Sequence, residues 1–433
     1  MLDTVEANPP AAPFPAPAAV PEERGGLRGL VGNITRNAQQ SMLVIALVVI
    51  WIGFGIAAPG YASADHIQNI LQQMAIIGIM ACGMVFVIVT GGIDLSVGYG
   101  SGFVSVVVAA LLYRGVVDDA ISAVAPSISP EALQIYTAVI VVLIGLLLGA
   151  LMGAFQGFII SRLSVPPFIV TLGGFSIFKS GILLVTQGKS LFISSNDTYK
   201  FIAQGLIPPV AGYVLAVLVI AAMFVRVFTA RARKRKYGVA LGSLPLELTK
   251  ATVFSALVLG YVVVVNRAFD PAAEYSTRGV PLLALILGAI ALLMSYISRN
   301  TRFGRHAYGI GGNREAARLS GIDIKASIFK VYVTMGLLMA VSGVALAAYV
   351  GSGTTAAGQG YELDVIAACI LGGTSTLGGE GTVFGAVVGA LIIQSLSNGL
   401  QMMNVNSNYQ YLIKGLVLIL AVFADIQLKK KRA

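Results

Sequence analysis

Arg299-Asn-Thr-Arg-Phe-Gly-Arg-His-Ala-Tyr-Gly-Ile-Gly-Gly-Asn-Arg-Glu-Ala-Ala-Arg-Leu-Ser-Gly-Ile322 is a basic, water-compatible segment held between two long apolar runs, residues 280–297 and 326–350. An apolar run of roughly twenty residues is what an α-helix needs to cross a bilayer. The quoted segment therefore reads as a loop on one face of a membrane, and the chain as an α-helical membrane protein. A connection that only joined two helices could be far shorter. This one carries its own helix signal. Asn313 can cap a helix that begins at Arg314, Glu315 stands in the first turn where the helix dipole favours an anion, and Gly321 can close it. Ala316, Ala317 and Leu319 give that helix an apolar side, and Arg314 and Arg318 lie four apart on another. Two readings fit: an anchor loop, or a short surface helix that docks a soluble partner.

Working outward, the pattern repeats. Of 433 residues, 57% are apolar and 11% charged, a balance that belongs to polytopic membrane proteins. Candidate spans fall at 41–58, 74–92, 97–113, 137–160, 168–186, 207–228, 251–266, 280–298, 326–350, 363–378, 381–399 and 409–425. The expectation is an all-α polytopic fold of about 12 transmembrane helices. Lys and Arg concentrate in cytoplasmic loops. In one register twenty of them, including Arg162, Arg231, Arg233, Arg302 and Arg318, lie on one side, against Arg114, Lys189, Lys200, Arg267 and Arg278 on the other. That bias places the N- and C-termini in the cytoplasm and accounts for the net charge of +10 without a nucleic-acid partner. Residues 1–40, rich in Pro and Ala, read as a disordered cytoplasmic tail; 41–425 form the membrane domain; 426–433 form a basic cytoplasmic tail.

Gly145, Gly149, Gly153 and Gly157 recur every four residues along one span. In lipid, helices approach closely through such small residues, so the ridge reads as a packing face. Gly381, Gly385 and Gly389 repeat the device. Asp94, inside Gly91-Gly92-Ile93-Asp94-Leu95-Ser96-Val97-Gly98, is the sharpest polar position, because a carboxylate at membrane depth is costly unless paired or hydrated. Gly91 and Gly92 break the preceding helix and Ser96 is placed to cap the next. Asp94 is then a structural cap for a broken helix or part of a translocation gate. A second glycine-rich turn, 372–381, occupies a comparable place in the later half. Lys414 reads as a side chain that snorkels to the outer surface.

Several classes are excluded. Cys82 and Cys369 fall within apolar spans, and His66 and His306 are too few and too distant to bind metal. Gly188-Lys189-Ser190 lacks the glycine that a phosphate loop needs at Leu183. No Ser/His/Asp or Cys/His grouping suggests catalysis, and no relay of acids suggests proton coupling. The chain is expected to be no enzyme and to hold no cofactor or metal.

Residues 303–322 resemble the cytoplasmic coupling loop of ribose- and xylose-type sugar ABC permeases, and residues 91–98 resemble the second signature of that family. The resemblance covers roughly 41–425. It implies a multi-pass bacterial inner-membrane permease subunit that carries a monosaccharide. It implies three partners: a cytoplasmic ATPase that uses ATP and Mg, a periplasmic sugar-binding protein, and a second permease chain, as a homodimer. Arg302, Gly304, Arg305, Asn313, Arg314, Glu315, Arg318 and Gly321, within 299–325, would meet the ATPase. Gly91, Gly92, Asp94, Ser96 and Gly98 would form the gate or broken helix. One departure from the ribose-type pattern is an insertion at 229–298, read as two extra helices beyond the ten or so of shorter relatives. It resembles xylose-type permeases, which points to xylose. The alternatives are another aldose, a branched-chain amino acid or, further off, a secondary transporter.

Overall fold

The computed structural model describes residues 38–193, 196–239, 243–267 and 279–430; the tail expected at 1–40 and the end of that at 426–433 lie largely outside them. The chain is helical almost throughout: α1 (Ala38–Ala57), α2 (Ala64–Val89), α3 (Val97–Tyr113), α4 (Val116–Val124), α5 (Pro130–Arg162) and α6 (Pro167–Thr186). After a two-residue strand β1 (Leu191–Phe192) come α7 (Asp197–Gln204), β2 (Leu206–Ile207), α8 (Pro209–Lys236), α9 (Leu244–Arg267), β3 (Val280–Pro281) and α10 (Leu282–Asn300). The remainder is α11 (Arg302–Gly312), α12 (Arg314–Leu319), α13 (Ile324–Val350), β4 (Ser352–Gly353), α14 (Tyr361–Leu371), α15 (Val383–Met402) and α16 (Ser407–Lys430).

Among the described residues eight helices are long and apolar enough to cross a membrane, or nine when α3 and α4, bent by 50° at their junction, count as one. The span expected at 363–378 is the clearest difference. Its helix, α14, has 11 residues, about 16 Å of rise against a hydrocarbon core of about 30 Å. Glycines 372 and 373 end it, the latter at φ +89°. The segment at 137–160 is longer than hydropathy suggested. Ser129 caps it from Ala132 N, Pro130 starts it, and a Pro at the first position costs no hydrogen bond.

Burial separates a centre from a rim. The most apolar stretch of α2 is 89% buried and that of α13 78%, whereas that of α8 is 11% buried. The glycine ridge explains the centre. A Cβ at Gly153 would land on the Tyr332 carbonyl and within 3.0 Å of Gly336 Cα; one at Gly149 would meet Ala340 and the Gly336 carbonyl. Gly145 lies against Val344 and Val108, and Gly157 against Tyr332 and Phe329. Thus α5 seats on α13 with almost no side chain between them. Gly385 and Gly389 bring α15 onto the carbonyls of Gly372 and Ala368.

Two short antiparallel ribbons join distant connections. In one, Leu191 pairs with Gly353 and Phe192 with Ser352. In the other, Leu206 pairs with Pro281 and Ile207 with Val280. Gln68 Nε2 donates to the Gly279 carbonyl at 2.9 Å. The boundary drawn at residue 229 falls inside α8, which runs on through the basic stretch at 231–236. Helix α10 packs on the body of the protein, its Leu287 side chain lying where a Cβ on Gly78 of α2 would be, and it leads directly into α11.

Candidate functional site

The quoted loop forms two helices where sequence reading found one. Thr301, at φ −105° and ψ 161°, caps α11 by accepting from Gly304 N at 3.3 Å. Gly304 is packed so closely on the end of α10 that a Cβ would strike the carbonyls of Ile297 and Ser298. Asn313 is extended, ends α11 and starts α12, its Oδ1 accepting from Ala316 N at 2.9 Å. Gly321, at φ +80°, lets the chain reverse so that Ile322 N reaches the Ala317 carbonyl at 3.1 Å; a β-carbon is strained in that conformation. Asp323 then caps α13 by accepting from Ala326 N at 2.9 Å.

One face of α11 is built into the membrane core. Phe303 stacks on Phe86, ring centroids 5.4 Å apart. Ala307 and Ile310 are buried. Tyr308 donates its hydroxyl to the Gly381 carbonyl at 2.8 Å, and burial pushes its phenol pKa up, which keeps the donor protonated. Gly311 sits where the end of α2 meets the second glycine turn: Gly379 N donates to the Val89 carbonyl at 2.9 Å, and a Cβ on Gly311 would collide with that carbonyl. The other face is free. Arg302, Arg305, Arg314, Glu315, Arg318 and Gly321 are exposed, and Leu319 is 76% exposed. Arg318 and Glu315 form a two-pronged ion pair at 2.6 and 3.1 Å. Ala317, expected on the apolar side with Leu319, turns inward. An exposed basic and apolar helix is thus carried by a second helix locked to the end of α2, to the 372–381 turn and to the start of α13.

The 91–98 turn lies at the same end. A cavity of about 240 Å³ is lined by Gly91, Gly92, Ser161, Arg314, Lys325 and Tyr332 among others, so it brings both motifs to one space. Gly91 has φ +82°. Asp94, 2% exposed, accepts from Ser96 N at 2.8 Å and from Ser96 Oγ at 2.6 Å. Asp94 holds the turn, whereas Ser96, expected to cap the next helix, makes no side-chain capping bond among the described residues. Its hydroxyl instead accepts from Gln156 Nε2 at 2.8 Å, tying the turn to the glycine ridge. Gly98 abuts the start of α14 at Gly358 and Glu362.

Two polar groups at the opposite end of the helices escaped sequence reading. Gln73 donates to Asn69 Oδ1 at 3.1 Å and to the Tyr349 hydroxyl at 3.0 Å. Its own oxygen accepts from Gln394 at 2.5 Å and Asn398 at 3.1 Å. The available signal was spacing: 69 and 73, and 394 and 398, are amides four apart, hence on one face of each helix. The second group is the ion pair between Lys414 Nζ and Asp364 Oδ2 at 2.9 Å, beside a cavity of about 190 Å³ lined by Tyr361, Gln410 and Tyr411. Lys414 is paired rather than snorkelling, because the first turn of the short α14 presents a carboxylate to it.

Buried, glycine-packed membrane helices ending in an exposed helical pair on one face make up the body of a transport-system permease. The chain belongs to the family described as branched-chain amino acid transport system / permease component, which matches residues 66–422. It is 36% identical to the xylose transport system permease protein XylH of Haemophilus influenzae, over 91% of this chain and 98% of that one. It is 35% identical to XylH of Escherichia coli K12, over 95% and 97%, and 32% identical to the ribose import permease protein RbsC of Bacillus subtilis, over 90% and 92%. No solved structure matches it. The chain is a multi-pass inner-membrane ABC permease of the ribose- and xylose-type group.

Proposed function

We propose that this chain forms the membrane pathway of an ATP-driven importer for a monosaccharide, xylose in particular. The observation that carries the reading is the α11–α12 pair: exposed Arg302, Arg305, Arg314, Arg318 and Leu319 on one side, and on the other a hydrogen bond to the second glycine turn and tight packing of Phe303 and Gly311 against the end of α2. A cytoplasmic ATPase seated there would transmit its closure to the two most buried helices. ATP and Mg belong to that partner. The charge bias supports a cytoplasmic side for α11, α12 and both termini, and twelve crossings follow if α1, α16, the bent α3–α4 pair and the short α14 with the turns that flank it count with the eight helices that meet the length and hydropathy test. A periplasmic binding protein would deliver sugar to the opposite face, and a second copy of the chain would complete the pathway. The neutral amides around Gln73 suit a substrate that presents hydroxyls rather than charge. The permease adds contacts that differ between two states, not chemistry.

Xylose rests on the named relatives and on the inserted helices; another aldose is the alternative, and the family's description keeps a branched-chain amino acid among the competitors. The test is uptake of labelled xylose into ATP-loaded proteoliposomes that hold the chain, its ATPase and its binding protein, with unlabelled ribose, arabinose, galactose and leucine added in turn. ATP-dependent uptake that only xylose blocks meets the proposal. Uptake without ATP overturns the mechanism, and block by another competitor replaces the substrate.

A further inference from the structure

Between α8 and α9 lies a groove of about 420 Å³ that the transport reading does not use. Met223, Val227 and Ala230 of α8 face Ala251 and Phe254 of α9 across it, and Arg226, Arg231, Lys234 and Glu247 complete the lining. The spacing is orderly. Residues 223, 226, 227, 230, 231 and 234 mark one stripe of a helix, and 247, 251 and 254 mark the facing stripe. The groove is therefore a product of two helix faces and not a gap left by poor packing. Arg231 Nη1 meets Glu247 Oε2 at 2.9 Å, which fixes one guanidinium at the rim. Arg226 and Lys234 flank it and are exposed. Among the described residues the groove thus holds three cations and one carboxylate, a net charge of two. Arg233, Arg235 and Lys236 add further positive charge at the same helix end.

We propose that this groove binds one anionic phospholipid, its phosphodiester between Arg226, Arg231 and Lys234 and an acyl chain along Met223, Val227 and Phe254. Three features select a lipid over other occupants. The groove lies on the periphery, on helices that are otherwise mostly exposed, where bilayer lipid is the neighbour. Its cations concentrate toward one end at Arg231 and Lys234, with Arg226 reaching in from among the apolar Met223, Val227, Ala230, Ala251 and Phe254, and this mix of charge and length of apolar lining suits a lipid better than a sugar. The surplus positive charge matches a phosphodiester, and basic sites between membrane helices recruit anionic headgroups. A zwitterionic lipid would bring an ammonium group into a rim that is already cationic. The proposal requires only that α8 and α9 lie in the bilayer; it holds whichever substrate the permease carries.

Native mass spectrometry of the full chain in detergent tests it, with phosphatidylglycerol and phosphatidylcholine of identical acyl chains offered at equal concentration. Phosphatidylglycerol is expected to bind preferentially. Each basic group near a membrane surface contributes about fivefold to such binding, so the double variant Arg226→Gln/Lys234→Gln should weaken phosphatidylglycerol by about 25-fold. It leaves Arg231, Arg233, Arg235 and Lys236 to hold orientation. Ala230→Trp keeps every charge and fills the groove, and it should also abolish the preference. Equal binding of the two lipids, or a preference unchanged in both variants, overturns the proposal. Loss in the charge variant alone, or displacement of the lipid by inorganic phosphate, reduces the groove to a free-anion site and likewise overturns it.

Discussion

Gly311→Ala isolates the mechanical joint between α11 and the membrane core. The added methyl would occupy the place of the Val89 carbonyl, to which Gly379 N donates at 2.9 Å. Backbone on both sides leaves no flexible side chain to yield. Losing that hydrogen bond costs about 1 kcal/mol, and overpacking adds about 1–3 kcal/mol. Better helix propensity of Ala returns up to about 1 kcal/mol. The net is about 2 kcal/mol against the docked position of α11, or about a 30-fold shift in the balance between docked and released states. The assay is ATPase stimulation by sugar-loaded binding protein, with uptake measured on the same proteoliposomes. Gly311→Ala should insert normally yet lose most of the stimulation and consume more ATP per sugar. Gly312→Ala is the control, since a Cβ there meets nothing within 4 Å. Wild-type coupling in Gly311→Ala, or equal damage from Gly312→Ala, would refute the reasoning.

Three further outcomes are expected. Asp94→Ala removes both bonds to Ser96 and should lower local stability by about 1–3 kcal/mol; Asp94→Asn keeps the accepting oxygen and should lie close to wild type in thermal unfolding and transport. Lys414→Met leaves Asp364 as an unpaired buried carboxylate and should destabilise by about 3–5 kcal/mol, while Asp364→Asn/Lys414→Met should recover most of the loss; a double variant no better than the single would show that the pair is not the cause. Gly153→Leu should separate α5 from α13 and abolish a single sharp unfolding transition, whereas Gly173→Leu, where a side chain meets open space, should leave it intact.

What sequence disclosed was what local chemistry determines. The length and apolar character of the spans mark the membrane fold, and Asn313 with Gly321 delimit α12 because a cap and its helix lie within a few residues of each other. The four-residue glycine period marked a packing face, but its partner Gly336 comes from a segment far along the chain. Non-local pairing is also why the Gln73 cluster and the Lys414–Asp364 pair went unread: each unites helices with no shared local signal. Helix α11 was missed because its glycines argue against a helix; tertiary contact at Gly304 and Gly311 is what requires two of them. Ser96 reads as a cap because a serine stands just before a helix, yet its hydroxyl is taken up by Asp94 and by Gln156, the latter far along the chain.

The ribbon that pairs Ile207 with Val280 sets the two ends of the α8–α9 segment side by side, at roughly the 5 Å spacing of adjacent strands. Leu282 N reaches the Gly205 carbonyl at 2.9 Å just beyond it. The α8–α9 segment therefore leaves the body of the protein and re-enters it through one gate, like a cassette in a slot. Such a cassette can be lengthened, exchanged or excised with a tight turn in its place, and α7 and α10 need not shift to close the break. A change of length within that segment would then be absorbed at the rim, with the seating of α5 on α13 and of α11 on the second glycine turn left in register.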